Sequence, residues 1–173
     1  NVGVTQDAVI YLQLALYLKP DFASAALTLG DAYSDIKQYN KSNAAYAHVP
    51  SGSRHYTTSQ IHQAINLDRM GKMQDALRLL DKTAKNTSDA YEALVAKGDM
   101  LRLHMRLPEA VEVYSQALAR AGELSGKHWP ILLARGSCYE RMNKWERAEA
   151  DLRHALQIKP RSEEHTSELQ SRL

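Results

Sequence analysis

Trp129 to Pro160 reads WPILLARGSCYERMNKWERAEADLRHALQIKP, and the segments before it repeat its pattern. Within it, Gly136, Tyr139, Ala148, Leu152, Ala155 and Pro160 stand at intervals that suit two antiparallel helices. Small residues fall where two backbones must cross closely, bulky apolar residues lie between them, and a proline stops the second helix.

Working back from Ala148, the equivalent residues are Ala110, Ala76, Ser42 and Ala8, at steps of 38, 34, 34 and 34. The position of Gly136 is filled by Gly98, Ala64 and Gly30, all tiny, and that of Tyr139 by Leu101, Leu67 and Tyr33. Leu152 is matched by Tyr114, Leu80, Tyr46 and Leu12, so each hairpin brings a bulky side chain from both helices into one layer. An ordinary helical bundle with short loops does not require a tiny residue at a fixed period.

This register resembles the tetratricopeptide repeat. That 34-residue pattern has glycine in its eighth slot, a tyrosine-like residue in the eleventh, alanine in the twentieth, an aromatic or leucine in the twenty-fourth, alanine in the twenty-seventh and proline in the thirty-second. The resemblance covers about residues 1 to 160. It implies an all-α fold, an α-solenoid wound as a right-handed superhelix from antiparallel helix pairs, with about four and a half repeats. Two departures stand in the twenty-seventh slot, Val49 and Thr83, where Ala155, Ala117 and Ala15 fit the pattern, and the closing proline is kept only as Pro20 and Pro160. They are expected to weaken two joints between repeats.

Residues 1–20 read as the second helix of a truncated repeat, followed by repeats at 21–54, 55–88, 89–126 and 127–160. In repeat two, the helices are expected over about Phe22 to Lys37 and Tyr39 to His48, the second cut short by Pro50 and the loop Ser51 to Ser53. That shortened helix makes the joint to repeat three the expected hinge. Repeat three spans about His55 to Met70 and Met73 to Ala84, with Gly71 in the turn. Repeat four starts after Asn86-Thr87-Ser88-Asp89, a cluster of helix-capping residues, and its first helix runs from Ala90 to Leu103. Its second helix has Pro108 just inside its start, where the missing N–H would have no intrahelical partner, and ends near Arg120. GELSGK, Gly122 to Lys127, carries the four extra residues of the 38-residue step. Residues 161–173 are set apart as a non-native tail, because RSEEHTSELQS, Arg161 to Ser171, resembles a translated sequencing adapter.

The formal net charge of +2 lacks the dense basic footprint of a nucleic-acid binder, so no nucleic-acid partner is expected. The single cysteine, Cys138, excludes an internal disulfide framework and reads as a small packing residue. The most apolar run, Ala8 to Leu18, is about half the ~20 residues a membrane span needs, so no span is expected. It reads instead as a helix apolar on several faces. The chain opens within a repeat at Asn1, without Met or a signal-like segment, and is read as an internal fragment of a longer protein. Self-association through its truncated ends is expected. General resemblance points to a bacterial multi-repeat protein, and nothing in the sequence separates cytoplasm from periplasm.

No catalytic, cofactor or metal site is expected. Gly122, Gly126 and Lys127 have only three residues between the glycines and His128 after the lysine, which fails a phosphate loop. His55 and His62 could share a helical face but lack further ligands, and there is no Gly-x-Ser-x-Gly elbow. Tyr33, Tyr46, Tyr114 and Tyr139 occupy packing slots and read as core.

The resemblance further implies that the first helices of successive repeats line a concave groove through slots two, five, nine, twelve and thirteen. Repeat two then presents Ser24, Leu27, Asp31, Ser34 and Asp35, and repeat three Thr58, Ile61, Ile65, Asp68 and Arg69. Repeat four presents Glu92, Val95, Asp99, Arg102 and Leu103, and repeat five Pro130, Leu133, Ser137, Glu140 and Arg141. Carboxylates outnumber guanidinium groups in this set, which disfavours a phosphate backbone as ligand. Leu27, Ile61, Ile65, Val95 and Leu133 would form a discontinuous apolar floor for an extended or helical peptide with apolar anchors and some basic residues. The family's chaperone-binding members hold a C-terminal carboxylate with Lys, Asn and Arg. Here Asp31, Ile65, Asp99 and Ser137 fill the ninth slot where the clamp Asn would be, so that role is disfavoured. The function expected is a non-catalytic protein-interaction scaffold. The alternative is a substrate-selecting region of a larger enzyme, as in glycosyltransferases that carry such arrays, and RNA binding ranks third.

Overall fold

The computed structural model describes residues 6–86 and 90–159. Among these the chain forms α-helices and no strand: α1 Gln6–Leu18, α2 Ala23–Asp35, α3 Tyr39–Tyr46, α4 Tyr56–Arg69, α5 Met73–Asn86, α6 Ala90–Leu103, α7 Leu107–Ala121, α8 Trp129–Arg141 and α9 Trp145–Ile158. The fold is an all-α solenoid, as the period predicts. The chain divides into two compact units, residues 1–97 and 98–173, with the division inside α6. In the first, α2 pairs with α3 and α4 with α5, while α1 packs on α2 and α3 on α4. In the second, α8 pairs with α9 and α7 packs on α8.

Each hairpin turns by the same device. Lys37, Gly71, Met105 and Asn143 occupy the same place in the four repeats and all have positive φ, at 60°, 77°, 59° and 57°. The following amide donates back to the carbonyl of Tyr33, Leu67, Leu101 and Tyr139 at 2.8, 2.8, 2.9 and 2.9 Å, closing the last helical turn. A side chain in this left-handed region costs about 1 to 2 kcal/mol, so at Lys37 and Met105 the packing of the two helices holds a conformation that the residue itself disfavours, while Asn143, like Gly71, is a type that adopts it more readily. Sequence reading placed such a turn only at Gly71.

The tiny residues mark the closest crossings. Gly30, Ala64, Gly98 and Gly136 are all buried, at equivalent places. A methyl group at Gly98 would lie 2.5 Å from Tyr114 Cε1, and one at Gly30 would overlap the Tyr46 ring outright. At Gly136 the nearest atoms are those of Leu152, at 3.3 Å, a tight but passable contact. Tyrosine in the facing slot therefore demands glycine, whereas leucine tolerates alanine, the combination found at Ala64 and Leu80, both buried.

Several expectations are corrected in detail. α2 ends at Asp35 and α3 at Tyr46, two residues before their expected ends, and α5 runs on to Asn86. Val49 is buried in one cluster with Leu16, Ala25, Ala26, Leu29 and Ala45. Thr83 is buried too, and its Oγ1 donates to the Leu79 carbonyl at 2.9 Å, which satisfies the hydroxyl within α5. Leu16 is the buried residue of α1, and Tyr11, Tyr17 and Leu18 are exposed. Among the described residues no helix is long and apolar enough to cross a membrane. The expected N-cap residues Thr87 to Asp89, the closing Pro160, residues 1–5 and the tail at 161–173 lie outside the described residues.

Candidate functional site

In the first unit, α2, α3 and α4 line a cavity of about 220 Å³ that is open to solvent on one side. Five residues singled out from the sequence line it: Asp31, Ser34 and Asp35 on α2, and Ile65 and Arg69, one turn apart on α4. Tyr46, His62 and Asn66 complete the wall. Leu27, Ile61 and Asp68 are half-buried on the same helices but do not line it.

A hydrogen-bonded network fixes this wall. Tyr46 donates its hydroxyl to Asp31 Oδ1 at 2.6 Å, and His62 Nδ1 lies 2.9 Å from the same oxygen. Burial pushes the Asp31 carboxyl upward, but the hydrogen bonds from His62 and Tyr46, with the attraction of His62, outweigh it and hold the group below the ordinary carboxylate range. Deeper in, Ser42 donates to the Gly30 carbonyl at 2.7 Å. Asn66 donates from Nδ2 to Ser42 Oγ at 2.8 Å and to Asn43 Oδ1 at 2.9 Å. Its Oδ1 accepts from Ser34 Oγ at 3.0 Å, and Arg69 Nη1 donates to that hydroxyl at 3.2 Å. Asn66 is only 1% exposed, so every one of its polar atoms needs these partners. The joint expected to be the hinge is thus bridged from α2 and α3 to α4 by polar contacts, because Ser42 stands where the other repeats have alanine and offers a hydroxyl to the next repeat.

The second unit repeats part of this wall. Tyr114 donates to Asp99 Oδ1 at 2.7 Å. Arg102 reaches both groups, from Nη2 to Asp99 Oδ1 at 3.3 Å and from Nε to the Tyr114 hydroxyl at 3.2 Å. Leu133, Glu140 and Arg141 are exposed on α8, and Arg141 Nη1 contacts Met105 Sδ at 3.3 Å. Glu92 is exposed and Val95 half-buried on the part of α6 that belongs to the first unit. Of the five residues expected as an apolar floor, Ile65 and Leu133 are exposed, at 36% and 44%, while Leu27, Ile61 and Val95 are half-buried.

Sequence reading assigned Tyr46 and Tyr114 to the core alone, and overlooked His62 and Asn66 as parts of the wall. The rings are core, but each hydroxyl emerges at a groove carboxylate. A signal was present: tyrosine in the twenty-fourth slot coincides with aspartate in the ninth, in repeats two and four, and repeats three and five have neither.

Burial first, then the hydrogen bond to Asp31 or Asp99, raises both phenols well above the ordinary value of 10.0. A phenol held protonated in the fold adds stability that is complete below its unfolded pKa and is lost as pH rises through the folded value. At about pH 11, where free phenols are ionised, native protein is therefore expected to show fewer phenolate groups by ultraviolet absorbance than its nine tyrosines supply. The lagging groups should appear together with alkaline unfolding, and Tyr46→Phe and Tyr114→Phe should each remove one. Complete ionisation of the folded protein near that pH would contradict the network.

No trio of His, Cys, Asp or Glu among the described residues is placed to hold a metal. His55 Nε2 accepts from Arg54 Nε at 3.3 Å, apart from the His62 pair. Cys138 is fully buried, and burial pushes its thiol upward, away from a reactive thiolate.

Family models described as tetratricopeptide repeat match residues 62–126 and 130–162, together more than half of the chain. No curated protein matches the sequence. Among solved structures, the chain is similar to MamA at 16% identity and a TM-score of 0.66, over 87% of this chain and 86% of that one. It is similar to BtubC from P. vanneervenii at 16% identity and a TM-score of 0.71, over 88% and 72%. A third is YrrB, described as a TPR protein with an unusual peptide-binding site, at 19% identity and a TM-score of 0.60, over 91% and 79%. At these identities the likeness is one of fold.

Proposed function

We propose that this chain, which belongs to the tetratricopeptide-repeat family, is a non-catalytic interaction scaffold that binds a peptide or protein segment along the faces of its first helices. One observation carries the finer part of this reading: Asp31, Asp35, Ile65 and Arg69, three of them charged, line one cavity with a partly exposed aliphatic side chain among them. Sites for peptides combine an apolar anchor point with a few fixed polar groups that set orientation. Here the fixing is done by Tyr46, His62 and Asn66, so little ordering of the wall remains to oppose binding. That YrrB, of similar fold, has a peptide-binding site supports the same use of the scaffold. Within the second unit taken by itself, Asp99, Arg102, Leu133, Glu140 and Arg141 would serve as contacts on α6 and α8.

Selection from a phage-displayed library of random dodecapeptides tests this. Enriched peptides are expected to contain an aliphatic or aromatic residue beside basic ones. Their affinity should fall at least tenfold for Ile65→Glu, a change at a partly exposed position that leaves the thermal melt in place. Failure to enrich any sequence, or affinities indifferent to Ile65→Glu, would overturn the reading.

A further inference from the structure

We infer that the cavity between α2, α3 and α4 seats a basic side chain, an arginine of the bound peptide, whose guanidinium takes beside Asp31 and Tyr46 the place that Arg102 takes beside Asp99 and Tyr114. This rests on the peptide-binding reading above and adds what the peptide must carry.

The two units contain the same pair of groups, a Tyr hydroxyl donating to an Asp carboxylate, at 2.6 Å in the first and 2.7 Å in the second. Asp99 follows Asp31, and Tyr114 follows Tyr46, by two repeats. In the second unit the pair is completed from within by Arg102, which donates to both its members. The residue two repeats before Arg102 is Ser34, whose side chain ends at a single hydroxyl. It is beside Ser34 that the cavity opens, with Asp31 and Tyr46 in its wall. The same fold therefore displays, in one unit, the cation that fits this arrangement and, in the other, the arrangement with room for a cation from outside.

Charge favours the same occupant. Both hydrogen bonds to Asp31 end on Oδ1, so Oδ2 retains its capacity to accept. Asp35 lines the cavity without an ion pair among the described residues. Arg69 is the opposing charge, and its guanidinium is engaged with the Ser34 hydroxyl and lies over the Tyr39 ring at 5.9 Å. Asp31 and Asp35 face the one guanidinium of Arg69, with the His62 ring set against Asp31 Oδ1, so the wall keeps carboxylate oxygens for a cation from outside. A planar guanidinium suits the site better than an ammonium, since it can donate to a carboxylate and a hydroxyl at once, as Arg102 does.

The probe is N-acetyl-arginine amide, titrated into the isotope-labelled chain and followed by amide chemical shifts, with the neutral citrulline analogue as control. Saturable shifts are expected at Asp31, Ser34 and His62 with arginine and not with citrulline. Ser34→Arg, which writes the second unit's residue into the first, should weaken this response at least tenfold. Because it also removes the donor to Asn66, the exposed Asp35→Asn is the second variant and should weaken the response with the melt kept. Equal responses to the two probes, no saturable response, or an undiminished response in either variant would overturn the inference. Selected dodecapeptides that bind without any arginine would also remove it while the peptide-binding reading stands. Failure of the dodecapeptides beside an intact arginine response would remove the peptide reading alone.

Discussion

Gly98→Ala is expected to destabilise the second unit severely, by ~3 kcal/mol or more, at the upper end of what overpacking costs in cores. The added methyl would meet Tyr114 Cε1 at 2.5 Å and Cδ1 at 2.7 Å. The ring has nowhere to retreat, since Tyr114 is fully buried and its hydroxyl is held between Asp99 and Arg102. The decisive comparison is Gly98→Ala with Tyr114→Leu, which recreates the pairing of Ala64 with Leu80 in repeat three. That double variant should be more stable than the sum of its single changes implies, by ~1 kcal/mol or more, because the two residues share one space. Denaturant melts and hydrogen exchange resolved by residue would measure it. In a solenoid each repeat leans on its neighbours alone, so protection should fall first in α6 to α8. Unchanged melting of Gly98→Ala would mean that the repeat register is misplaced.

Asp151→Ala is expected to cost about 3 to 5 kcal/mol, the range found when one member of a buried ion pair is removed. Arg135 on α8 donates from Nε to Asp151 Oδ2 and from Nη2 to Oδ1, both at 2.7 Å, and from Nη1 to Ser115 Oγ at 2.9 Å on α7. The side chains are only 19% and 10% exposed, so water cannot replace the lost carboxylate. The hydrogen bond with Asp151 raises the Arg135 guanidinium above its ordinary value in the native chain, and without that partner arginine is still too basic to escape by losing its proton. Replacing both residues, as Arg135→Met with Asp151→Leu, should recover most of the loss. Arg153→Ala is the control: its pair with Glu149 is 74% and 62% exposed, and breaking such a surface pair changes stability by about 0 to 1 kcal/mol. Equal effects from the buried and the exposed pair would refute the argument.

The repeat itself could be read from spacing, because it depends on size alone. A side chain at Gly30 or Gly98 would strike the facing tyrosine, and at Ala64 and Gly136 there is room for little more than a methyl group, so the constraint leaves its mark at a fixed period. The faces of the first helices followed from the same register, so Asp31, Asp35, Ile65 and Arg69 stood within a wider expected groove, from which Leu27, Ile61 and Asp68 on the same helices fall outside the cavity. The turn residues Lys37 and Met105 were not legible, since neither is a type that favours positive φ, whereas Asn143 is one that tolerates it. Their conformation follows from the angle at which the two helices must meet.

Local periodicity and side-chain volume were enough to establish the all-helical class, the hairpin register and the residues that cross closely. Tertiary structure alone decided which polar groups meet: that Tyr46 and Tyr114 lend their hydroxyls to Asp31 and Asp99, that Asn66 and Ser42 tie repeat two to repeat three, and that Arg135 finds Asp151. Such pairings join residues far apart in the chain, each of which could as well have faced water. Hydrogen bonds are short and directional, so they are fixed only once the helices have been brought to their final distance and rotation.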